Sequence, residues 1–306
     1  MPSWDKVQGE IKAAGSVHDV VRRQHLAKLA EVTGRNTIVY YSGWNEKQFL
    51  VSQGLTGAEV NDSDKNGFMA TIHELDRSKG LDLLLHTPGG NVAATESLVH
   101  YLRAMFGTDI RVVVPQLAMS AGTMIALSAK SVLMGKHSSL GPIDPQIMGM
   151  PAHALVAEFT NAAEEIRKDP AAIPVWQPIL AKYPPTLIGE SQKAIVWAEQ
   201  MVREWLATGM FAGESDAEAK AAAVVSELAS HELTLSHDRH IPAEKAKEIG
   251  ITVEMLEAND DLQEAVLSVH HACIQTLAET PAFKIIENHM GVGFITSVRM
   301  APPPSG

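Results

Sequence analysis

The stretch LDLLLHTPGGN at residues 81–91 decides the fold. Its leucine-rich first half predicts a strand buried on both faces, and Pro88, Gly89 and Gly90 end that strand before a helical pattern over residues 93–106. Adjacent glycines permit backbone angles and close approaches that other residues do not, so an amide of this turn can face a ligand. Taken alone, the turn is explained more simply as a tight connection, since it carries neither the Walker pattern nor G-x-G-x-x-G.

A second strand-to-helix turn lies in RVVVPQLAMSAGTMIALSA at residues 111–129. Ser120 stands there between small residues, at the start of an apolar helix. Such a position favours a negatively charged oxygen, and the N–H of Ala121 would then be a hydrogen-bond donor to it. When this turn is considered by itself, a serine that only caps the helix is the simpler explanation.

The spacing of the two turns strengthens both interpretations. The residues between Gly90 and Ser120 fit one crossover helix and the next strand of a parallel sheet, which would bring both turns to the same carboxyl edge. Apolar runs at residues 36–44 and 131–135 predict further strands. Uninterrupted apolar strands that alternate with helices are typical of a mostly parallel sheet covered on both faces, so the predicted class is α/β.

The rest of the chain is predicted to elaborate one domain. Residues 1–34 are expected to form an N-terminal helical extension, and residues 35–256 the α/β domain itself. Helical patterns separated by prolines indicate a helical insertion near residues 152–230. Residues 257–306 are expected to hold a last helix and a tail.

Composition excludes several classes of protein. The chain has 25 basic and 36 acidic residues, a net charge of −11 that offers no general attraction to nucleic acid or anionic lipid. The single cysteine, Cys273, allows no internal disulfide and no cysteine-based zinc site, which favours a cytoplasmic location. The apolar run at residues 112–135 is long enough for a membrane span, but its proline, glutamine and serines favour a buried core segment. No export signal is read at the N-terminus.

The motifs at both turns resemble the superfamily of the Clp protease proteolytic subunit and signal peptide peptidase A, which has the crotonase-like spiral fold of ββα units. HTPGG resembles the strand and turn that carry the oxyanion-hole glycine, here Gly90. AMSAGTMIALSA resembles the nucleophile motif, with Ser120 as the serine and Ala121 as the second amide. SSLGPIDPQ and RHIPAEKAKEIGITVE resemble later segments, so the resemblance covers residues 38–254. Within the superfamily, the chain is most similar to the serine dehydrogenase proteinases.

The resemblance leaves open which base would activate Ser120. A Clp-type triad would place a histidine shortly after SSL, but the sequence there reads GPID and offers Asp144 instead. The aspartate of that triad does have a counterpart in Asp238. Without an imidazole to orient, an aspartate leaves the triad incomplete.

A lysine is the preferred base in this sequence. Signal peptide peptidase A uses a lysine in a loop before a long helix, and Lys182 has that setting. A lysine accepts a proton only when burial removes its amine from water, which the apolar neighbours of Lys182 make plausible. The rivals are Lys168 and Lys193, of which Lys193 is weaker because it lies inside the predicted helix.

Histidines are the alternative source of a base. His237 and His240 flank Asp238 and could deliver an imidazole from this later turn. A metal site built on His231, His237 and Asp238 matches no zinc spacing, and no cofactor or metal is expected. His86 precedes the glycine turn, where it either lines the site or satisfies a buried backbone group. Gly89 is a secondary candidate beside Gly90.

The sequence therefore predicts a cytoplasmic serine endopeptidase. Ser120 would form an acyl-enzyme with a peptide or unfolded protein, while the amides of Gly90 and Ala121 hold the oxyanion. The resemblance implies a homo-oligomer, and it leaves an unfoldase or other protein partner unidentified. Two alternatives stay open: a crotonase-like acyl-CoA thioester enzyme, which needs the amides but not the serine, and a non-catalytic Clp-like scaffold for assembly or peptide binding.

Overall fold

The computed structural model describes residue 10 and residues 18–229 and 239–298. The helices are α1 (His18–Thr33), α2 (Gln48–Ser52), α3 (Asp64–Ile72), α4 (Val92–Phe106), α5 (Ala121–Leu127), α6 (Ala152–Lys168), α7 (Ile173–Leu180), α8 (Leu187–Trp205), α9 (Ala217–Ala229), α10 (Ala243–Ile249) and α11 (Asp260–Glu279). The strands are β1 (Asn36–Ser42), β2 (Leu81–His86), β3 (Ile110–Val114), β4 (Leu117–Ala118), β5 (Ser131–Met134), β6 (Ser139–Leu140), β7 (Gln146–Ile147), β8 (Met150–Pro151), β9 (Ile241–Pro242), β10 (Val253–Met255), β11 (Ala282–Asn288) and β12 (Gly293–Ser297).

The main sheet has the strand order β10-β5-β3-β2-β1-β11-β12 among the described residues. The strands from β10 to β1 in this order are parallel, whereas β11 runs antiparallel to β1, and β12 antiparallel to β11. Every residue of β1 and β2 is buried, because helices cover both faces. The predicted α/β class is confirmed.

Two apolar layers divide the core between the faces of the sheet. Alternate residues of β1 point to opposite faces, so Tyr40 enters one layer and Tyr41 the other. The layer around Tyr40 includes α3, α4, α5, α8 and α9, and the layer around Tyr41 includes α1 and α11. The apolar run at residues 112–135 contributes strands and α5 to this core, as expected from its composition.

The C-terminal region adds two strands that the sequence analysis missed. β11 is fully buried beside β1, and β12 pairs with its outer edge. Glu287 of β11 is buried and accepts hydrogen bonds from Arg22 and Arg23 of α1, each at 2.7 Å. The division of the chain into an N-terminal extension, an α/β domain and a C-terminal region, at residues 34 and 256, stays a prediction. The main sheet continues across the second of these boundaries, because it includes β11 and β12.

Helices α6, α7 and α8 extend beyond the sheet after the β7–β8 hairpin. Several large apolar side chains on α7 and α8 are exposed, among them Ile173, Val175 and Val196. In the described part of the chain, no helix combines the length and the apolar character needed to cross a bilayer.

Candidate active site

The two predicted turns lie side by side at one edge of the sheet. Thr87, directly after β2, forms a parallel bridge with Ala118 of β4. Its N–H donates to Leu117 O at 3.1 Å, and its carbonyl accepts from Met119 N at 3.0 Å. This pairing brings the glycine turn and the serine turn into contact.

Ser120 has a strained backbone and does not cap its helix. Its φ of 50° and ψ of −114° are uncommon for any residue except glycine. The side chain is half-buried and makes no capping hydrogen bond to α5. Thr123 anchors the turn instead, because its hydroxyl donates to Ala118 O at 2.8 Å. A hydroxyl presented on a sharp strand-to-helix turn is the geometry of a nucleophile elbow.

Glycine is required at both positions of the first turn. Gly89 has a φ of 102°, and a Cβ added there would lie 2.6 Å from the Cβ of Ser120 and 3.0 Å from the Ala121 nitrogen. Gly90 has a φ of 155°, and a Cβ there would lie 2.3 Å from the Val60 nitrogen. Only glycine permits these approaches without a shift of the backbone.

The amide of Gly90 is directed away from the segment that contains Val60. The Val60 N–H donates to Gly89 O at 2.7 Å, and the Val60 carbonyl accepts from Asn91 N at 2.9 Å. These two hydrogen bonds form a parallel bridge between Val60 and Gly90. In such a bridge, the N–H and C=O of the enclosed residue point away from the partner. Gly90 is also exposed, so this N–H is accessible to a ligand.

A cavity of about 650 Å³ opens over both turns. Glu59 is the one charged side chain in its described lining, and most of the wall is apolar or backbone. Such a wall around a few convergent polar groups is typical of a binding site. The lining residues are Glu59, Pro88, Gly89, Gly90, Asn91, Val92, Ala93, Ser120, Met124, Ile143, Pro145, Gln146, Ile147, Gly149, Ala194 and Trp197.

Comparison with protein families identifies the fold that carries this cavity. A family model described as ClpP-like SDH-type serine proteinase matches residues 20–286, which is most of the chain. The chain belongs to the ClpP-like SDH-type serine proteinases. This match confirms the resemblance seen in the motifs around Gly90 and Ser120, and it extends through most of β11.

Two archaeal proteins are similar in sequence to the chain described here. Both are uncharacterized proteins of Methanocaldococcus jannaschii, MJ0137 and MJ1495. The first is 31% identical over 191 residues, or 62% of this chain and 59% of the relative. The second is 30% identical over 190 residues, or 62% of this chain and 57% of the relative. The matched region thus spans less than two thirds of either relative's length.

The three candidate lysines of this SDH-type chain are exposed, and none is among the described residues that line the cavity. Lys182 lies in the turn after α7, where it is exposed and is not among the described residues of the cavity lining. Lys168 ends α6 and is exposed as well. Lys193 of α8 is exposed and pairs with Glu190 at 2.9 Å. In the single chain, none of these three amines has the burial that a lysine base requires.

The histidine candidates are likewise not among the described lining residues or lie outside the described residues. His240 is exposed and is not part of the described lining. His86 faces the α11 side of the sheet, where its ring centroid lies 4.5 Å from that of Trp44, and burial lowers its pKa to about 3. His231, His237 and Asp238 lie outside the described residues.

Asp144 has a histidine partner that the sequence analysis did not name. Its Oδ1 lies 2.7 Å from Nδ1 of His153, the second residue of α6. The hydrogen bond to Asp144 raises the pKa of His153 above its ordinary value, against the opposing effect of burial. Ile143 and Pro145, on either side of Asp144, line the cavity, so this pair connects α6 to the cavity wall.

Replacement of His153 by glutamine should destabilise the protein more at low pH than at high pH. A histidine with a raised folded-state pKa contributes its full stability below pH 6.5, and this contribution is lost as the pH rises through the raised value. We expect the loss in free energy of unfolding to be about 1 kcal/mol larger at pH 5.5 than at pH 9, from urea unfolding. The exposed His73→Gln is the control, and an equal loss for H153Q at both pH values would contradict the ion pair.

Three residues in the cavity wall or in contact with it could not be found from sequence patterns. Val60 comes from a loop without a motif, and its bridge to Gly90 is visible only in three dimensions. Trp197 lies on α8 and lines the cavity, whereas the sequence pattern there indicated only a helix of the predicted insertion. For His153, a histidine at the start of a predicted helix was the only available signal.

Proposed function

We propose that this chain is a serine peptidase with Ser120 as its nucleophile. The Ser120 Oγ attacks a peptide carbonyl, and a base accepts the hydroxyl proton. Collapse of the tetrahedral intermediate breaks the amide bond, releases the amine with a proton and leaves an acyl-enzyme, which water hydrolyses. The amides of Gly90 and Ala121 stabilise the oxyanion in both steps.

One observation carries this proposal. A serine with a strained backbone and no capping bond shares a cavity edge with an exposed glycine whose N–H points away from its bridging partner. A turn with only a structural role would need neither the positive φ at Ser120 nor the close approaches of Gly89 to Ser120 and of Gly90 to Val60. The cavity is large enough for several side chains of a peptide or unfolded-protein substrate.

We propose Lys182 as the base, acting within a homo-oligomer. Lys182 follows α7, which together with α8 presents exposed apolar residues such as Val175 and Val196. Contact between subunits through these helices would cover the apolar residues and could remove the Lys182 amine from water, as proton acceptance requires. The buried, unpaired Cys273 is compatible with a reducing cytoplasm, where we place this activity.

A fluorophosphonate probe tests the nucleophile directly. Formation of the Oγ–phosphorus bond expels fluoride, so the probe reports an activated serine without knowledge of the substrate. We expect the native full-length protein to be labelled at Ser120, as located by peptide mass spectrometry, and the heat-unfolded protein to remain unlabelled. Ser128→Ala, at the other end of α5, is the matched control and should label at the wild-type rate.

The same probe separates the alternatives. Labelling in the oligomeric fraction of a size-exclusion column, with its loss in Lys182→Met, would support the Ser–Lys pair. Equal labelling of K182M would remove Lys182 from the proposal. A folded, assembled protein without labelling would be a scaffold, unless it turns over an acyl-CoA thioester, which would indicate crotonase-like chemistry.

A further inference from the structure

A buried polar network lies behind the glycine turn. Lys284 of β11 and Asp64 of α3 form an ion pair of 2.7 Å, with side chains only 2% and 1% exposed. The Tyr40 hydroxyl donates to the other carboxylate oxygen of Asp64 at 2.7 Å. The Lys284 Nζ also lies 5.4 Å from the centre of the Tyr40 ring. Buried charges are costly to retain, so a fully paired arrangement of this kind calls for an explanation beyond stability.

The network holds the backbone on both sides of Val60. Lys284 Nζ donates to Glu59 O at 2.8 Å, and Asn61 N donates to Asp64 Oδ2 at 3.0 Å. Val60, between these two anchored residues, forms the bridge that encloses Gly90. The position of the Gly90 amide therefore depends on Val60, whose two neighbours in the chain, Glu59 and Asn61, are held by the ion pair.

The same network reaches the glycine turn by a second route. Burial and Asp64 raise the pKa of Tyr40, and the neighbouring Thr87 side chain acts on the same hydroxyl in the opposite direction. The Thr87 Oγ1 in turn accepts from Gly89 N at 3.2 Å. Two separate chains of contacts thus lead from Asp64 to the two glycines of the turn.

We propose that Tyr40, Asp64 and Lys284 are positioning residues that hold the Gly90 amide in its oxyanion-binding orientation. This inference rests on the proposed function. The three residues touch neither the cavity nor the serine among the described contacts, so they act through Val60 and Thr87. Oxyanion donors must be held in place before the reaction, because their benefit comes from preorganisation.

Tyr40→Phe tests the proposal, and Tyr41→Phe provides a matched control. Both tyrosines are fully buried neighbours on β1, and both lose one side-chain hydrogen bond, since the Tyr41 hydroxyl lies 3.1 Å from His270 Nδ1 on the opposite face. We expect Y40F to lower the maximal rate of fluorophosphonate labelling about tenfold, with less than twofold change in the half-saturating probe concentration. Y41F should change neither quantity by more than twofold.

A purely structural role would give a different result. In that case, Y40F and Y41F would lower the midpoint of thermal unfolding without a selective loss of labelling rate, which would overturn the proposal. The double variant K284M/D64N removes both charges together and should show the same selective loss as Y40F.

Hydrogen exchange keeps the inference separate from the proposed function. We expect Y40F, but not Y41F, to accelerate amide exchange at least tenfold in the native-state peptides that cover residues 58–61 and 87–91. An unlabelled wild type would refute the peptidase assignment while this measurement still tests the network. Unchanged exchange in Y40F would overturn the positioning role whether or not the wild type is labelled.

Discussion

Ser120→Ala is expected to lower peptide hydrolysis by more than about 10³-fold while leaving the fold intact. The loss follows because no acyl-enzyme can form without the hydroxyl. The fold should survive because Ser120 makes no capping hydrogen bond and alanine meets the same backbone strain at a φ of 50°. Hydrolysis of fluorescein-labelled casein by the assembled protein measures the effect, and thermal unfolding reports the fold.

The control for this substitution is Ser128→Ala in the same segment. Ser128 is buried, and its hydroxyl donates to Ile125 O at 2.7 Å, so its removal changes stability rather than chemistry. We expect S128A to retain hydrolysis within about twofold, because a lost hydrogen bond of this type costs only about 1 kcal/mol of stability. If S120A hydrolyses casein as fast as S128A, Ser120 is not the nucleophile.

Gly90→Ala is expected to lower kcat about 10²-fold, through displacement of one oxyanion donor. The added Cβ would lie 2.3 Å from Val60 N and 2.4 Å from Val60 O, both backbone atoms that cannot rotate away. The turn must therefore move and carry the Gly90 amide with it. A kcat that falls with little change in KM would indicate an interaction made mainly in the transition state.

Gly107→Ala separates this effect from backbone strain alone. Gly107 follows α4 with a φ of 61°, and a Cβ there meets no heavy atom within 4 Å. This variant incurs a strain cost of about 1 kcal/mol in stability without moving the cavity, so its kcat should equal that of the wild type. An unchanged kcat in Gly90→Ala would mean that the Gly90 amide does not bind the oxyanion.

The α/β class and both turns could be predicted because their signals are local. A strand buried on both faces must be apolar throughout, as in LDLLLH, and a turn with positive φ selects glycine, as at Gly89 and Gly90. Small residues around Ser120 follow from close packing, since a Cβ at Gly122 would lie 2.6 Å from Thr87 Cγ2. These constraints act within a few residues, so they are visible in the chain itself.

The choice of base could not be predicted in the same way. The sequence indicates apolar neighbours for Lys182, but whether its amine is buried depends on how α7 and α8 pack. Asp144 likewise has a motif around it, yet its partner His153 is determined by where α6 begins against the cavity wall. Proximity in sequence did not indicate which charged groups form hydrogen bonds or ion pairs with each other.

By itself, the sequence determined a parallel α/β core, a glycine turn and a serine turn at one sheet edge, and membership of a serine proteinase family. Only the tertiary structure decided that β11 joins the sheet beside β1, and that Lys284 therefore reaches Asp64 and the segment behind Gly90. The physical reason is that local patterns record the backbone angles and burial of each residue. Contacts between residues 220 positions apart depend on strand order, which no local pattern records.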